Sequence, residues 1–166
     1  NLLAASVMSR LNGDKDKVNS AISSSLNCQQ SDGSWFYGEY ENLKWIDNFH
    51  TVYVLEALMD MVATENELEQ GIARGLDFWL KNMFVDNQPK YFLSDTNPTR
   101  DINTLASAIS LLSHPYVASN LELKTGELME VLLDQLMDAL SVLDWNQAKF
   151  RWDLAPAFLA LSKWEN

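Results

Sequence analysis

The stretch DNFHTVYVLEALMDMVA, Asp47 to Ala63, decides the class of this chain. Val54, Leu55, Leu58, Met59 and Val62 recur at the spacing of one helical face. Asp47 opens the run, and an acid at that point suits a helix start. The same period extends outward in both directions. Leu2 to Leu11 is apolar-rich and stops at Asn12-Gly13, a helix-ending pair. Asp14 to Cys28 carries Val18, Ile22 and Leu26, and Glu67 to Phe84 carries Leu68, Ile72, Leu76, Trp79, Leu80 and Met83. Asp101 to Ser113, Thr125 to Leu143 and Leu154 to Trp164 complete seven expected helices, with Pro156 in the first turn of the last. Three aromatic pieces lie between them: Trp35-Phe36-Tyr37, Lys90-Tyr91-Phe92 and Phe150-Arg151-Trp152. Each is too short for a full strand and reads as an extended loop or a tiny hairpin. The expectation is an all-α chain of antiparallel helical hairpins, residues 1–166 forming a single helical domain.

Composition narrows the function classes. The chain has 166 residues, 47% of them hydrophobic and 11% aromatic, which excludes intrinsic disorder. Acids outnumber bases 23 to 12, for a formal charge of -11. That balance repels phosphate backbones and anionic membrane surfaces, so no nucleic-acid partner is expected. No apolar run approaches the length of a membrane span, so no membrane insertion is expected either. Cys28 is the only cysteine, which excludes an internal disulfide and a thiolate metal cluster. It precedes Gln29 at a helix end and reads as inert packing. A single thiol fits a reducing compartment, and a cytoplasmic location is the expectation. The chain begins at Asn1 rather than Met, which reads as a piece cut from something longer.

A repeat organises the aromatic pieces. His50-Thr51 to Ala57-Leu58 aligns with Asn103-Thr104 to Ser110-Leu111 at an offset of 53, and with Asp153-Leu154 to Ala160-Leu161 at an offset of 103. The unit is an aromatic segment, a polar residue, an inner helix, a loop and an outer helix. Such periods belong to stacked or ring-closed hairpins. His50, Asn103 and Asp153 thereby become equivalent positions at helix starts, with Asp47 and Asp101 nearby. In a closed ring these polar groups would converge over an aromatic floor. Asp47, Asp101 and Asp153 are also the residue type that caps helices.

Gln29-Gln30-Ser31-Asp32-Gly33-Ser34-Trp35 fits a Gln-x-x-x-Gly-x-Trp pattern and resembles the QW repeat of terpene cyclases and protein prenyltransferases. The resemblance implies a structural role, with the glutamine closing a helix end, the tryptophan stacking against it and Gly33 supplying the turn. The Asp-rich motif of those cyclases is missing from this sequence, which argues against terpene chemistry. Asp32 to Glu39, DGSWFYGE, followed by Trp45 to Thr51, WIDNFHT, resembles a bacterial family of polysaccharide-biosynthesis loci. Phe150-Arg151-Trp152 with Ala155 to Leu161, APAFLAL, resembles that family's end. These proteins are similar in fold to six-hairpin glycosidases and N-acylglucosamine 2-epimerases. The resemblance implies an (α/α) toroid of about twelve helices, of which this chain is the C-terminal half. It implies the missing N-terminal half and a saccharide or polysaccharide ligand as partners.

The residues themselves offer two chemistries. Glycoside hydrolysis uses two carboxylates, and Asp32, Glu39, Asp47, Asp101 and Asp153 are the loop-side acids. Glu39 follows Gly38 on a loop, and Asp47 lies near Trp45. His50, one of two histidines, sits at a helix start between Phe49 and Thr51 and suits general acid–base work in an epimerase or lyase. It equally suits a hydrogen-bonded histidine at a helix end. His114, before Pro115, reads as a cap of the preceding helix. Tyr37, Trp45, Tyr91 and Trp152 are candidates to stack on a sugar ring, while Trp35 reads as packing. Arg151 can clamp an acidic sugar carboxylate or pair with Asp153. No metal site and no cofactor are expected. Three readings stay open: a glycosidase- or epimerase-like enzyme, a glycan- or protein-binding scaffold without catalysis, and an interaction fragment whose aromatic face packs on the missing half.

Overall fold

A computed structural model describes residues 2–62, 66–99, 101–144, 146 and 154–164. Among them are seven α-helices and one short 3-10 helix, so the fold is all-α. The chain falls into two compact units, Asn1–Asn82 and Met83–Asn166.

The first unit holds α1 (Leu2–Arg10), α2 (Lys15–Asn27), the 3-10 helix Glu41–Leu43, α3 (Asn48–Asp60) and α4 (Asn66–Asn82). Asn12 takes a left-handed φ of 52°, which ends α1 at the Asn-Gly pair the sequence marks. The Gly13 N–H then bonds back to the Met8 carbonyl at 2.8 Å. Asp14 caps α2 by accepting from the Asp16 and Lys17 amides. α1 packs on α2 and α3, and α3 packs on α4. The core they share is apolar: Val52, Leu55 and Leu58 from α3 meet Leu68, Ile72 and Trp79 from α4 in near-complete burial. Trp79 pays for its polar edge by donating Nε1–H to Asn48 Oδ1 at 2.8 Å. At the other end of α3, Asp60 accepts from Ser6 Oγ and pairs with Arg10, tying α1 to α3. This contact raises the Arg10 pKa further above its already high value.

The second unit opens with a two-residue hairpin. β1 (Phe84–Val85) pairs antiparallel with β2 (Gln88–Pro89). Asp86 and Asn87 between them both have positive φ, the geometry of a type I′ turn, which Asp and Asn tolerate. The strand pairing thus lies just before Lys90-Tyr91-Phe92 rather than on it. α5 (Ile102–Leu112) is buried at every residue, and α6 (Pro115–Ser141) and α7 (Ala155–Trp164) both pack on it. A helix covered all round serves as the centre of its unit.

Three sequence expectations change. The helix expected from Thr125 begins ten residues earlier, at Pro115. His114 gives its backbone N–H to the Leu111 carbonyl at the end of α5, but its side chain serves the next helix. It is the N-cap of α6, its Nδ1 accepting from the Tyr116 amide at 3.2 Å, and Pro115 takes the first helical position, where its missing N–H costs nothing. Cys28 is exposed at the C-cap of α2 rather than packed. No helix among the described residues is long and apolar enough to cross a membrane.

Candidate functional site

The site in the first unit is assembled on the Gln29–Trp35 segment. Gln29 spends its whole amide: Nε2 donates to the carbonyls of Gly33 and Gly71, and Oε1 accepts from Arg74. Asp32 Oδ1 accepts from both the amide and the hydroxyl of Ser34, which tightens the turn. Gly33 sits at φ 96°, and a Cβ there would collide with the Arg74 carbonyl. Trp35 is buried and donates Nε1–H to the Ser25 carbonyl in the last turn of α2, a packing role. The segment therefore clamps the end of α2 against α4 and aims the following residues outward.

Those residues form a short loop closed on itself. The Tyr37 amide donates to the Trp45 carbonyl at 2.8 Å, and the Gly38 amide to the Leu43 carbonyl at 3.1 Å. This pairing lays the Tyr37 ring on Trp45, with centroids 4.6 Å apart and planes 15° from parallel. Both rings are partly exposed, at 45% and 37%. Two residues after Trp45 the chain enters α3.

Asp47 is the N-cap of α3 and is only 4% exposed. Its Oδ1 accepts the His50 amide at 2.8 Å. His50 is the third helical residue, so its side chain lies beside the cap. Its Nδ1 sits 2.8 Å from both Asp47 oxygens. Thr51 donates its hydroxyl to the Asp47 carbonyl, fixing the first turn. The imidazole is half-exposed, with Tyr37 edge-on at 4.4 Å and Phe49 edge-on at 5.5 Å. In the neutral ring, the proton on Nδ1 faces the carboxylate and Nε2 is left as a lone-pair acceptor. Among the described residues Nε2 forms no hydrogen bond. A buried carboxylate that orients a histidine in one tautomer is the arrangement a general base needs. Capping and histidine orientation are therefore one device.

Beside His50 lies an apolar hollow of about 210 Å³ bounded by the start of α1, residues 35–37 and the first turns of α3. Glu39 is exposed on the loop and lines a larger groove of about 1090 Å³, together with Lys17 and Lys44.

The other candidates are placed apart. Asp101 lies in the second unit, capping α5 by accepting the Thr104 amide and hydroxyl at 2.8 Å each. Asp47 and Asp101 thus do the same work, which pairs His50 with Thr104 rather than with Asn103: both donate a side chain to the capping carboxylate. Tyr91, also in the second unit, is partly exposed and packs edge-on against Phe92. Arg151, Trp152 and Asp153 fall outside the described residues. No group of three or more His, Cys, Asp or Glu that could hold a metal ion occurs among the described residues. Sequence reasoning missed Leu2, Leu3, Tyr53 and Val54 around the hollow, because nothing in a sequence pairs the start of α1 with the face of α3.

Comparison with protein-family models, with curated proteins and with solved structures found no match to this chain.

Proposed function

We propose that this chain acts on a carbohydrate in polysaccharide biosynthesis, by proton transfer at His50 rather than by two-carboxylate glycoside hydrolysis. The observation that carries the reading is the Asp47–His50 pair beside the half-exposed Tyr37–Trp45 stack. Aromatic faces take the apolar side of a sugar ring, and the oriented imidazole supplies a base within reach of a ring so stacked. Among the described candidate acids only Glu39, exposed on its loop, serves no cap or turn, and hydrolysis needs two carboxylates. Both Asp47 oxygens are committed to His50, Asp32 closes its own turn, and Asp101 caps a helix of the other unit. A hydrolase needs a second carboxylate about 5–9.5 Å from the first and free to act. In an epimerase-like step the His50 imidazole takes the proton next to the carbonyl of the open-chain sugar, and the C–H electron pair passes into an enolate. The proton returned to the opposite face of that carbon re-forms the carbonyl. Membership of an (α/α) toroid belongs to the same proposal.

The test is an NMR screen of hexoses and N-acylated amino sugars in deuterated buffer. The expected result is deuterium wash-in at one sugar carbon, lost in His50→Ala with the helical spectrum intact and weakened in Trp45→Ala through binding. Undiminished exchange in His50→Ala, or no saccharide binding by the wild type, overturns the proposal. A second reading is a non-catalytic glycan-binding module, favoured by the exposed aromatic stack alone. It predicts binding without exchange, abolished by Trp45→Ala and kept in His50→Ala.

A further inference from the structure

We infer that the apolar hollow beside His50 binds a single planar ring bearing one hydroxyl donor, a phenol-like aromatic alcohol. This goes beyond the carbohydrate reading: it shares His50 and Tyr37 with that reading but rests on the hollow, which Trp45 does not line.

The size comes first. At about 210 Å³ the hollow is smaller than the pockets that take drug-sized ligands, roughly 300–1,000 Å³. An apolar cavity of about 150 Å³ is enough for benzene, so one ring and a substituent fit here. The walls come next. Leu3, Val54, Trp35, Phe36 and Tyr53 present aliphatic and aromatic surface, and the apolar lining far exceeds the polar. A sugar seated there would press several hydroxyls against apolar walls that offer them no partner. A flat ring loses nothing and gains contact with aromatic edges. Leu3, Phe36 and Tyr53 are also partly exposed, so the hollow opens to solvent and a ligand has a way in.

The polar requirement is set by His50, whose ring lines the hollow with Nδ1 turned to Asp47. Its Nδ1 is held between the two Asp47 oxygens, so the neutral ring offers Nε2 only as an acceptor. The ligand must therefore supply a donor. A plain hydrocarbon leaves that acceptor unanswered. A benzoate brings a second negative charge toward the buried Asp47 carboxylate and has no proton to give.

The experiment titrates the 166-residue chain separately with phenol, toluene and benzoate. It follows tryptophan fluorescence and the nitrogen-15 resonances of the histidine rings. Phenol is expected to bind saturably and about tenfold more tightly than either analogue, the worth of one hydrogen bond, and to shift the His50 ring signals. His50→Ala should reduce phenol to the level of toluene. Val54→Phe, which fills the hollow from α3 without touching the Asp47 cap, should abolish binding of both. Deuterium exchange into sugars and phenol affinity are read separately on the wild type, so a failure of the saccharide reading and a failure of this one are told apart. Equal affinity for phenol and toluene, unmoved His50 resonances at saturation, or no saturable phenol binding overturns the inference.

Discussion

At the scale of single residues, Asp47 has two jobs that substitutions can separate. Asparagine caps helices about as well as aspartate, whereas alanine does not cap. Asp47→Ala should therefore cost about 1–2 kcal/mol in urea unfolding, from the lost cap on α3 and the lost partner of His50. Asp47→Asn should cost clearly less. It should still impair any proton transfer, because an amide can turn its N–H₂ toward His50 and favour the wrong tautomer. Equal stability losses in the two variants would mean that the carboxylate charge, not the cap, holds the first turn. Gly33 makes a sharper case. Its φ of 96° and the Arg74 carbonyl pressed against it exclude any side chain. Gly33→Ala should destabilise by about 1–3 kcal/mol and loosen the Gln29 clamp, visible as a lower Tm. An unchanged Tm would show that the loop can shift without loss. These residues also mark what sequence can say. Asp47 and His50 stand three apart at a helix start, so their nearness was legible, while the bond from Nδ1 to the capping carboxylate came only with the structure. The Tyr37–Trp45 stack was not, because both residues look alike to any aromatic pattern until the loop pairing puts one on the other.

At the scale of elements, most helices were legible because their apolar stripes are long and their caps are strong. α6 was the exception, and its cause is physical. Pro115 looks like a stop but is tolerated at the first helical position, so the turns before Thr125 join the helix, and Gly126 lies inside it. That glycine is exposed, and a Cβ built on it meets nothing within 4 Å. Gly126→Ala should accordingly stabilise the protein by about 0.5–1 kcal/mol, through the unfolded chain's lost freedom. A lower Tm in that variant would mean that the helix is kinked there in solution. α2 gives a pH-dependent case. Asp14 accepts from Lys17 through side chain and backbone, and from the Asp16 amide, and these contacts lower its pKa below the usual 3.8. A carboxyl with a depressed folded pKa stabilises the fold above its unfolded pKa, and that contribution is lost as pH falls through the folded value. Asp14→Ala should thus unfold at a lower temperature than wild type at pH 7. The gap should narrow only below about pH 3.8, as the wild-type carboxyl takes up its proton. A gap that closes already near pH 5 would assign the effect to some other group.

At the scale of the whole molecule, charge is the dominant field. Acids exceed bases by eleven. The ion pairs Lys17–Asp14, Lys44–Glu41 and Lys81–Asp77 are local contacts along one stretch of chain, largely solvated and individually weak. Repulsion among the remaining carboxylates is summed over all pairs, reaches farther and favours the expanded chain. Salt acts on both, but unequally. Going from about 0.01 M to 0.15 M shortens the Debye length from about 30 Å to 8 Å. That change removes most of the long-range repulsion and leaves contacts near 3 Å largely in place. Added sodium chloride should therefore raise the Tm over this range and then level off. The same excess charge should keep the protein from sedimenting with DNA or with anionic vesicles even at the lowest salt, where a basic patch would bind most strongly. A Tm that falls with salt would show that the short ion pairs outweigh the repulsion. Salt-sensitive binding to either polyanion would mean that the twelve bases are gathered on one face and that the net charge conceals it.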